Sequence, residues 1–423
     1  MVGEGGLDPL DLGFHRLDLI LDHDWRGSNR LGTAYGCWPA FPRWLHNGLG
    51  NAMATPLPIA AKTRRMRVVI FGLTVSSTWG NGHAALWRGL IGALQAQGHS
   101  VVFFERDVPY YAAHRDTTEA PGGARLVLYG DWHDILPSAR GAVNEADAAI
   151  VTSYCPDALA ATALVLDSRV AARCFYDLDT PVTIARLAQG RSVDYVPLQG
   201  LSGFDIVLSY TGGAAIAALR EKLGARRVVP IYGSVDPDVH RPTEPQPRYA
   251  GLLSYIGTYA EDRQAALERL FIEPARRLPA RRFMLAGALY PPDFPWTENI
   301  FFVRHLPPGE HPSFYCSSRL TLNVTRGAMA RMGWCPSGRL FEAAACGAPI
   351  LSDSWDGLDA FLEPGKEIFT ANDTSQAMTI LALPLHDLLA VARRARERTL
   401  DEHTASVRAR ELVAALEPST QEA

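Results

Sequence analysis

Short apolar runs, separated by helical stretches, constrain the fold of this 423-residue chain more than any other feature. The runs are continuous rather than alternating, which is typical of strands buried on both faces of a parallel sheet. Between them lie helical patterns, such as the stretch that places Leu86, Leu90 and Leu94 on one face. The runs form two series, at 67–73, 101–104, 126–129, 148–154, 173–179, 205–210 and 228–233, then at 252–259, 282–287, 300–305, 320–326, 349–353 and 367–371. We predict an α/β fold with two doubly wound sheets.

A stretch rich in proline and polar residues divides the two series. We predict that this stretch, 234–248, links two Rossmann-like domains that face a cleft, at 66–233 and 249–423. The helical pattern from about residue 385 to 418 is assigned to the second domain.

Residues 1–65 differ from the rest in being rich in Gly, Pro, Asp and Trp without a sustained period. They are predicted to be a poorly ordered extension, or to result from a start codon assigned too early. In the alternative, Trp25, Trp38 and Trp44 pack on the body of the protein.

The charge and cysteine content exclude several classes of protein. The net charge of −4 and the pI of about 6.3 do not suggest a nucleic-acid or anionic-membrane partner. The six cysteines are scattered without a C-x-x-C pair, which fits a reducing compartment. No apolar run approaches the ~20 residues that span a bilayer, and no signal-peptide pattern is seen. We therefore expect a cytoplasmic protein without an integral membrane segment.

The stretch 336–347 predicts a short helix that opens on Pro-Ser-Gly and ends at Gly347. A helix N-terminus carries partial positive charge and free N–H groups, and small residues leave room for an anion. Ser337, Gly338 and Arg339 could therefore hold phosphate, with Glu342 about one turn further on. An ordinary helix with a Ser N-cap and a Gly C-cap explains the same residues.

Ligands of such sheets bind beyond the carboxyl ends of the strands, so the residues there are candidates in the first domain. His83 begins a helix after the first strand and could act as a general base. Asp179 follows a later strand and could accept a proton or simply cap the next helix. The acceptor-side candidates are Ser77, Asn81, Gly82, Asp177, Gly212 and Gly213, where the last two could equally form a plain turn.

Similar positions in the second domain contain residues suited to a phosphorylated ligand. Three guanidinium groups, those of Arg263, Arg326 and Arg339, could converge on one cleft, where their planar forks suit phosphate oxygens. The full donor-side set is Gly257, Thr258, Tyr259, Arg263, Asn323, Arg326, Ser337, Gly338, Arg339 and Glu342. The chain lacks H-E-x-x-H, Walker lysine and G-x-S-x-G motifs, so neither a metal site nor a cofactor is predicted.

From about Met66 onward the chain resembles glycosyltransferases of the two-domain GT-B fold, and among them proteins related to the spore-maturation protein CgeB. The resemblance lies in the segments SSTWGNGHAALWRGL, VVFFERDVPYY, FYDLDTP, LSYTGG, IYGSVDPDVH, SYIGTYAEDR, LNVTR and PSGRLFEAAACGAPILSD. It implies metal-independent transfer of a sugar from a UDP-, GDP- or dTDP-linked donor to an unidentified acceptor.

The resemblance also implies roles for single residues. Glu342 corresponds to the family's ribose-binding glutamate, and 337–339 to its phosphate-binding helix start. Gly257 and its neighbours correspond to the loop after the first strand of the donor domain. Many retaining members carry a second glutamate eight positions before the ribose-binding one, where this chain has Trp334. The stereochemistry therefore stays open.

If the reaction inverts the anomeric configuration, the resemblance implies that His83 or Asp179 deprotonates the acceptor. Alternative interpretations are a nucleotide-sugar epimerase or phosphorylase on the same fold, or a non-catalytic protein that binds nucleotide sugars.

Overall fold

A computed structural model describes residues 65–79, 82–304 and 306–417. The predicted extension therefore lies almost entirely outside the described residues, as does Asn81. The described chain folds into two α/β domains, each built on one parallel sheet. This confirms the predicted fold class, because the apolar runs form the strands of two sheets.

The first domain has a seven-stranded sheet. Its strands are β1 (Arg67–Gly72), β2 (Ser100–Arg106), β3 (Arg125–Tyr129), β4 (Ala148–Thr152), β5 (Ala172–Asp177), β6 (Ile206–Ser209) and β7 (Val228–Pro230). Its helices are α1 (His83–Ala96), α2 (Pro109–Ala112), α3 (Trp132–Glu145), α4 (Ala158–Asp167), α5 (Thr180–Ala188) and α6 (Ala214–Leu223).

The second domain has a six-stranded sheet. Its strands are β8 (Gly251–Ile256), β9 (Phe283–Gly287), β10 (Ile300–Arg304), β11 (Ser318–Asn323), β12 (Ile350–Ser352) and β13 (Phe369–Thr370). The helices are α7 (Glu261–Leu267), α8 (Glu273–Arg277), α9 (His311–Ser317), α10 (Gly327–Met332), α11 (Gly338–Ala345), α12 (Thr374–Leu381), α13 (Leu385–Glu402) and α14 (Ala405–Leu416).

Both sheets reverse their winding direction once. The order is β3-β2-β1-β4-β5-β6-β7 in the first sheet and β10-β9-β8-β11-β12-β13 in the second. Loops diverge where the order reverses, next to β1 and β4 in one sheet and β8 and β11 in the other. In parallel sheets that divergence opens a crevice for ligands.

Each sheet is covered by apolar side chains on both faces, as continuous apolar strands require. Along β1, Val69 and Phe71 belong to one core, whereas Val68 and Ile70 belong to the core on the opposite face. The second sheet likewise has a separate apolar core on each face.

The last helix packs on the first domain, whereas the predicted boundary assigned the whole tail to the second domain. In α14, Ala409, Leu412 and Val413 join the core of the first domain beside Trp87 and Leu90. The chain therefore crosses between the domains twice, and the two crossings pair where Val235 bridges Thr404.

Among the described helices, none is by itself long and apolar enough to cross a membrane. Only α12 and α13 taken together reach that length and composition, and they meet at an angle of 102°.

Candidate active site

The second-domain half of the site is centred on Arg339, at the start of α11. Its Nη1 lies 3.3 Å from Oδ1 of Asn323 and 3.4 Å from Oγ of Ser337. Its guanidinium carbon is 5.3 Å from the centroid of the Tyr255 ring. Asn323 ends β11 and Tyr255 lies in β8, so these contacts gather at the winding reversal of the second sheet.

Gly257, directly after β8, allows the guanidinium to come this close. A Cβ atom built on Gly257 would lie 2.9 Å from Nη2 of Arg339 and 2.7 Å from the Tyr255 hydroxyl. Any larger residue would push Arg339 away from the crevice. The structure thus brings together five of the predicted donor residues, namely Gly257, Asn323, Ser337, Gly338 and Arg339.

The helix that begins at these residues has both an N-cap and a C-terminal glycine. The Ser337 hydroxyl accepts a hydrogen bond from the Arg339 N–H at 3.3 Å, which is the N-cap that the alternative interpretation predicts. At the other end, Gly347 adopts φ = 73°, as a helix-ending glycine does. The cap and the anion-binding role are therefore compatible.

Glu342 lies one turn into α11, where it accepts a hydrogen bond from the Tyr315 hydroxyl at 3.1 Å. Burial alone would raise the pKa of Glu342, but His240, His311, Arg339 and the Tyr315 hydrogen bond together lower it. The carboxylate is thus ionised at neutral pH and can accept hydrogen bonds from ligand hydroxyl groups.

The other two arginines are held by residues in α7 or just before it. Arg263 donates to the Thr258 carbonyl at 3.1 Å, and Arg326 forms an ion pair of 3.5 Å with Asp262. Burial raises the pKa of Tyr290, and Arg263 and Arg339 both act to lower it. Tyr259 packs against Tyr290, with ring centroids 5.6 Å apart. Convergence of the three arginines on one ligand stays a prediction.

The first-domain half is centred on His83 and Asp179. His83 is the first residue of α1 and Asp179 directly precedes α5. The side chains meet with Nε2 of His83 3.9 Å from Oδ2 of Asp179, and both are mostly buried. The Tyr154 ring, after β4, lies 5.6 Å from the imidazole centroid. Loops after β1, β4 and β5 therefore build this half.

Asp177 is buried beneath Asp179 and does not line an open surface. Its Oδ1 accepts hydrogen bonds from the Asp179 N–H and the Thr183 hydroxyl, each at 3.1 Å. The side chain of this predicted acceptor-side residue is fully buried. These contacts correct the prediction, because they favour a role in positioning Asp179.

Glu105, near the end of β2, is hydrogen-bonded to the loop that leads to His83. This carboxylate accepts hydrogen bonds from the N–H groups of Val75 and Ser76 at 2.7 and 3.0 Å and from the Thr74 hydroxyl at 2.9 Å. Ser77 is fully buried and donates to the His114 carbonyl at 2.8 Å, so it shapes the loop instead of facing an acceptor. Gly82 is exposed and a Cβ there would meet nothing within 4 Å.

Gly212 and Gly213 were predicted to lie on the acceptor side of the site. In the structure, Trp334 of the second domain packs against them. The Gly212 N–H donates to the Trp334 carbonyl at 2.9 Å. A Cβ on Gly213, which has φ = 55°, would lie 2.5 Å from Cδ1 of Trp334. The Tyr210 hydroxyl also donates to the Pro336 carbonyl at 3.0 Å. The turn is therefore a domain contact just ahead of α11.

Tyr210 links the first domain to the segment that leads into α11. Burial and then the nearby Cys335, Glu342 and Asp179 raise the pKa of its hydroxyl. The Pro336 carbonyl that Tyr210 contacts lies just ahead of α11, so the contact between the domains lies beside the second-domain half of the site.

Comparison with known proteins agrees with this architecture. Residues 263–414 match a family model described as "Glycosyl transferase-like". The fold is similar to that of sucrose-phosphate synthase from Thermosynechococcus elongatus, with a TM-score of 0.62 and 14% identity over 82% of this chain and 97% of that one. No curated protein matches the chain.

Two further solved structures have the same fold. HepE from Anabaena, solved with UDP-glucose, matches with a TM-score of 0.59 and 11% identity over 83% of this chain and 99% of that one. The catalytic domain of starch synthase IV from Arabidopsis thaliana, bound to ADP and acarbose, matches with a TM-score of 0.58 and 12% identity over 84% and 99%. The chain has the GT-B glycosyltransferase fold. This fold and the family match together support glycosyltransferase activity.

Sequence reasoning missed several residues in or next to this candidate site, namely Glu105, Tyr210, Tyr255, Tyr315, His240 and His311. A signal existed for Glu105, since a carboxylate that ends an apolar strand needs hydrogen-bond donors nearby. The tyrosines lie in or next to apolar strands and helices, where a core role explains them equally well.

Replacing Asp177 by asparagine tests its buried state. Burial raises the pKa of Asp177 to about 6, so the folded protein holds this proton more tightly than the unfolded chain. Its contribution to stability is present at low pH and is lost as pH rises to about 6. Relative to the wild type, Asp177→Asn should gain about 2 kcal/mol in free energy of unfolding between about pH 4.5 and pH 7.

Urea unfolding of both proteins at the two pH values measures this difference. If the difference in free energy of unfolding between variant and wild type were the same at both pH values, the pKa of Asp177 would not be raised by folding.

Proposed function

We propose that this chain transfers a sugar from a nucleotide-sugar donor to an acceptor hydroxyl without using a metal ion. The observation that carries the proposal is the meeting of Arg339, Asn323 and Gly257 at the winding reversal of the second sheet, one helical turn from Glu342. The finer likeness to CgeB-related proteins and the cytoplasmic location are part of this proposal.

The donor would bind mainly to the second domain. The Arg339 fork and the N-terminal N–H groups of α11 offer hydrogen bonds to a diphosphate, which is the most highly charged part of such a donor. Glu342, ionised and half-buried, would accept hydrogen bonds from the two ribose hydroxyls. The loop 257–259 would cover the nucleotide, with Arg263 and Arg326 at its edge.

The acceptor would bind against the first domain. His83 would take the proton from its hydroxyl group, and Asp179 would stabilise the imidazolium that forms. The acceptor oxygen forms a bond to the anomeric carbon, and the bond from that carbon to the diphosphate oxygen breaks. Arg339 and the helix N-terminus would stabilise the charge that develops on the leaving diphosphate.

A screen of UDP-, GDP- and dTDP-sugars tests the proposal. Calorimetry with each donor measures binding, and mass spectrometry detects the nucleoside diphosphate that transfer releases. Absence of binding to all three would reject the donor site. Interconversion of donors without an acceptor, seen by NMR, would indicate an epimerase, and binding without turnover would indicate a non-catalytic protein.

Replacing Glu342 by alanine should weaken donor binding by about 1–3 kcal/mol, the cost of losing a charged partner of hydroxyl groups. Calorimetry with the donor found in the screen measures the change. Glu397→Ala is a matched control, because Glu397 is exposed on α13 and pairs only with Arg393 at 3.9 Å among the described residues. Equal affinity of the Glu342 variant and the control would exclude the ribose role.

A further inference from the structure

Two histidines that the proposed reaction does not use lie beside Glu342. His240 lies in the connection between the domains, His311 begins α9, and Glu342 lies in α11. One ring nitrogen of each histidine and one carboxylate oxygen all fall within 4.8 Å of one another. Three segments that are distant in sequence thus present three metal-ligating groups at one point.

A second observation, at His240, also indicates a ligand at this cluster. Its side chain is 91% buried, since its exposed fraction is 9%. Its Nε2 is buried and has no hydrogen-bond partner among the described residues. A buried polar atom without a partner is costly, so a bound species that it could contact would stabilise this arrangement.

The neighbours of the cluster leave coordinating lone pairs available. The Leu306 carbonyl lies 3.2 Å from Nε2 of His311, and a carbonyl can only accept, so the proton is on Nε2. The lone pair of Nδ1 therefore remains for a ligand. A backbone carbonyl that fixes the imidazole tautomer is a common arrangement around metal-ligating histidines. Tyr315 similarly holds one oxygen of Glu342 and leaves the other.

We propose that His240, His311 and Glu342 bind one divalent ion of the zinc class. Two imidazole nitrogens and one carboxylate oxygen are ligands that Zn²⁺ accepts, whereas Mg²⁺ and Ca²⁺ prefer oxygen alone. With bonds of about 2.0–2.2 Å, the ligand atoms would close to separations of roughly 3.4 Å, and a fourth position would stay open.

The ion would have two consequences. It would tie the connection between the domains to α9 and α11, which stabilises the folded chain. It would also occupy the Glu342 carboxylate, so it would compete with a donor ribose, a consequence that rests on the proposed function. The positive charge of Arg339 near Glu342 opposes the ion, so we expect micromolar rather than tighter affinity.

Calorimetric titration of the full chain with Zn²⁺, without a histidine tag and without nucleotide, tests the proposal. The chain has 12 histidines, and other histidines can also bind Zn²⁺. The informative result is therefore the loss of one bound equivalent of Zn²⁺ in a variant, compared with the wild type. We expect His240→Ala and His311→Ala to weaken that one site by at least ~100-fold. The matched control His133→Ala, on the exposed face of α3, should keep it. Mg²⁺ should not compete.

Titration with Co²⁺ provides a second readout, because its visible absorption reports the coordination of the ion. The wild type and His133→Ala should develop the same bands, which His240→Ala and His311→Ala should lack. Circular dichroism checks that each variant is folded, and His240→Gln and His311→Gln replace any alanine variant that is not. Equal Zn²⁺ stoichiometry and affinity in folded variants and wild type would overturn the proposal.

The outcome is distinguishable from failure of the proposed function. Nucleotide is absent from the metal titrations, so a chain that binds no donor can still bind the ion. A chain that loses the ion site can likewise still bind the donor.

Discussion

Replacing His83 by alanine is expected to lower turnover by ~10²–10⁴-fold, the range for losing a positioned general base. His83 is the first residue of α1, and its Nε2 lies 3.9 Å from Oδ2 of Asp179. Steady-state kinetics with the donor from the screen measures the loss, while donor affinity should stay largely intact.

Two further variants separate a catalytic effect of His83 from a structural one. Asp179→Asn keeps the size of the side chain and removes the charge that supports the imidazolium. Its turnover should therefore also be lower than that of the wild type. His133→Ala, remote and exposed on α3, should behave as wild type. A His83 variant of normal activity would transfer the base role to Asp179.

Replacing Arg339 by glutamine is expected to lower turnover by ~10²–10³-fold, as for the loss of one donor to a developing negative charge. The guanidinium is positioned by Asn323, Ser337 and the Tyr255 ring before any ligand arrives, so its contribution requires little reorganisation. Donor affinity should fall as well, because the diphosphate is charged in the ground state too. Kinetics and calorimetry on the same preparations measure both effects.

Arg339→Lys shows whether charge or shape matters. A lysine keeps the charge but loses the planar fork, so it should recover only part of the activity. Arg393→Gln, on the exposed face of α13, is the matched control and should match wild type. Thermal unfolding of each variant checks that it is folded. Wild-type turnover in a folded Arg339→Gln protein would contradict the phosphate role.

The sequence predicted the sheets and the helix of the donor half well. Continuous apolar runs have to be buried on both faces, and in a chain of this length two parallel sheets achieve that. The helix at 338–345 was also predictable, because Ser337 and Gly347 are local signals that act through backbone geometry. The candidate residues at strand ends followed from the same pattern, since the crevice of a wound sheet lies there.

Other features depend on which surfaces meet. The sequence shows that Gly212 and Gly213 form a turn without side chains. It does not show that Trp334 of the other domain packs against this turn. The helical pattern of α14 shows that it has an apolar face without showing which domain covers that face. His240 and His311 are likewise separated by 70 residues in the chain, so the sequence does not show that they meet beside Glu342.

By itself, the sequence determined the two wound α/β domains, their strands, the capped helix at Ser337 and the strand-end positions where a ligand could bind. These depend on local backbone preference and on the burial of adjacent residues, which a linear pattern contains. Only the tertiary structure decided the pairing of His83 with Asp179, the support of Arg339 by Gly257 and Asn323, and the contact of Trp334 with the first domain. Such contacts join residues distant in the chain, and the free energy that selects them comes from packing and hydrogen bonds between whole elements, which no local pattern contains.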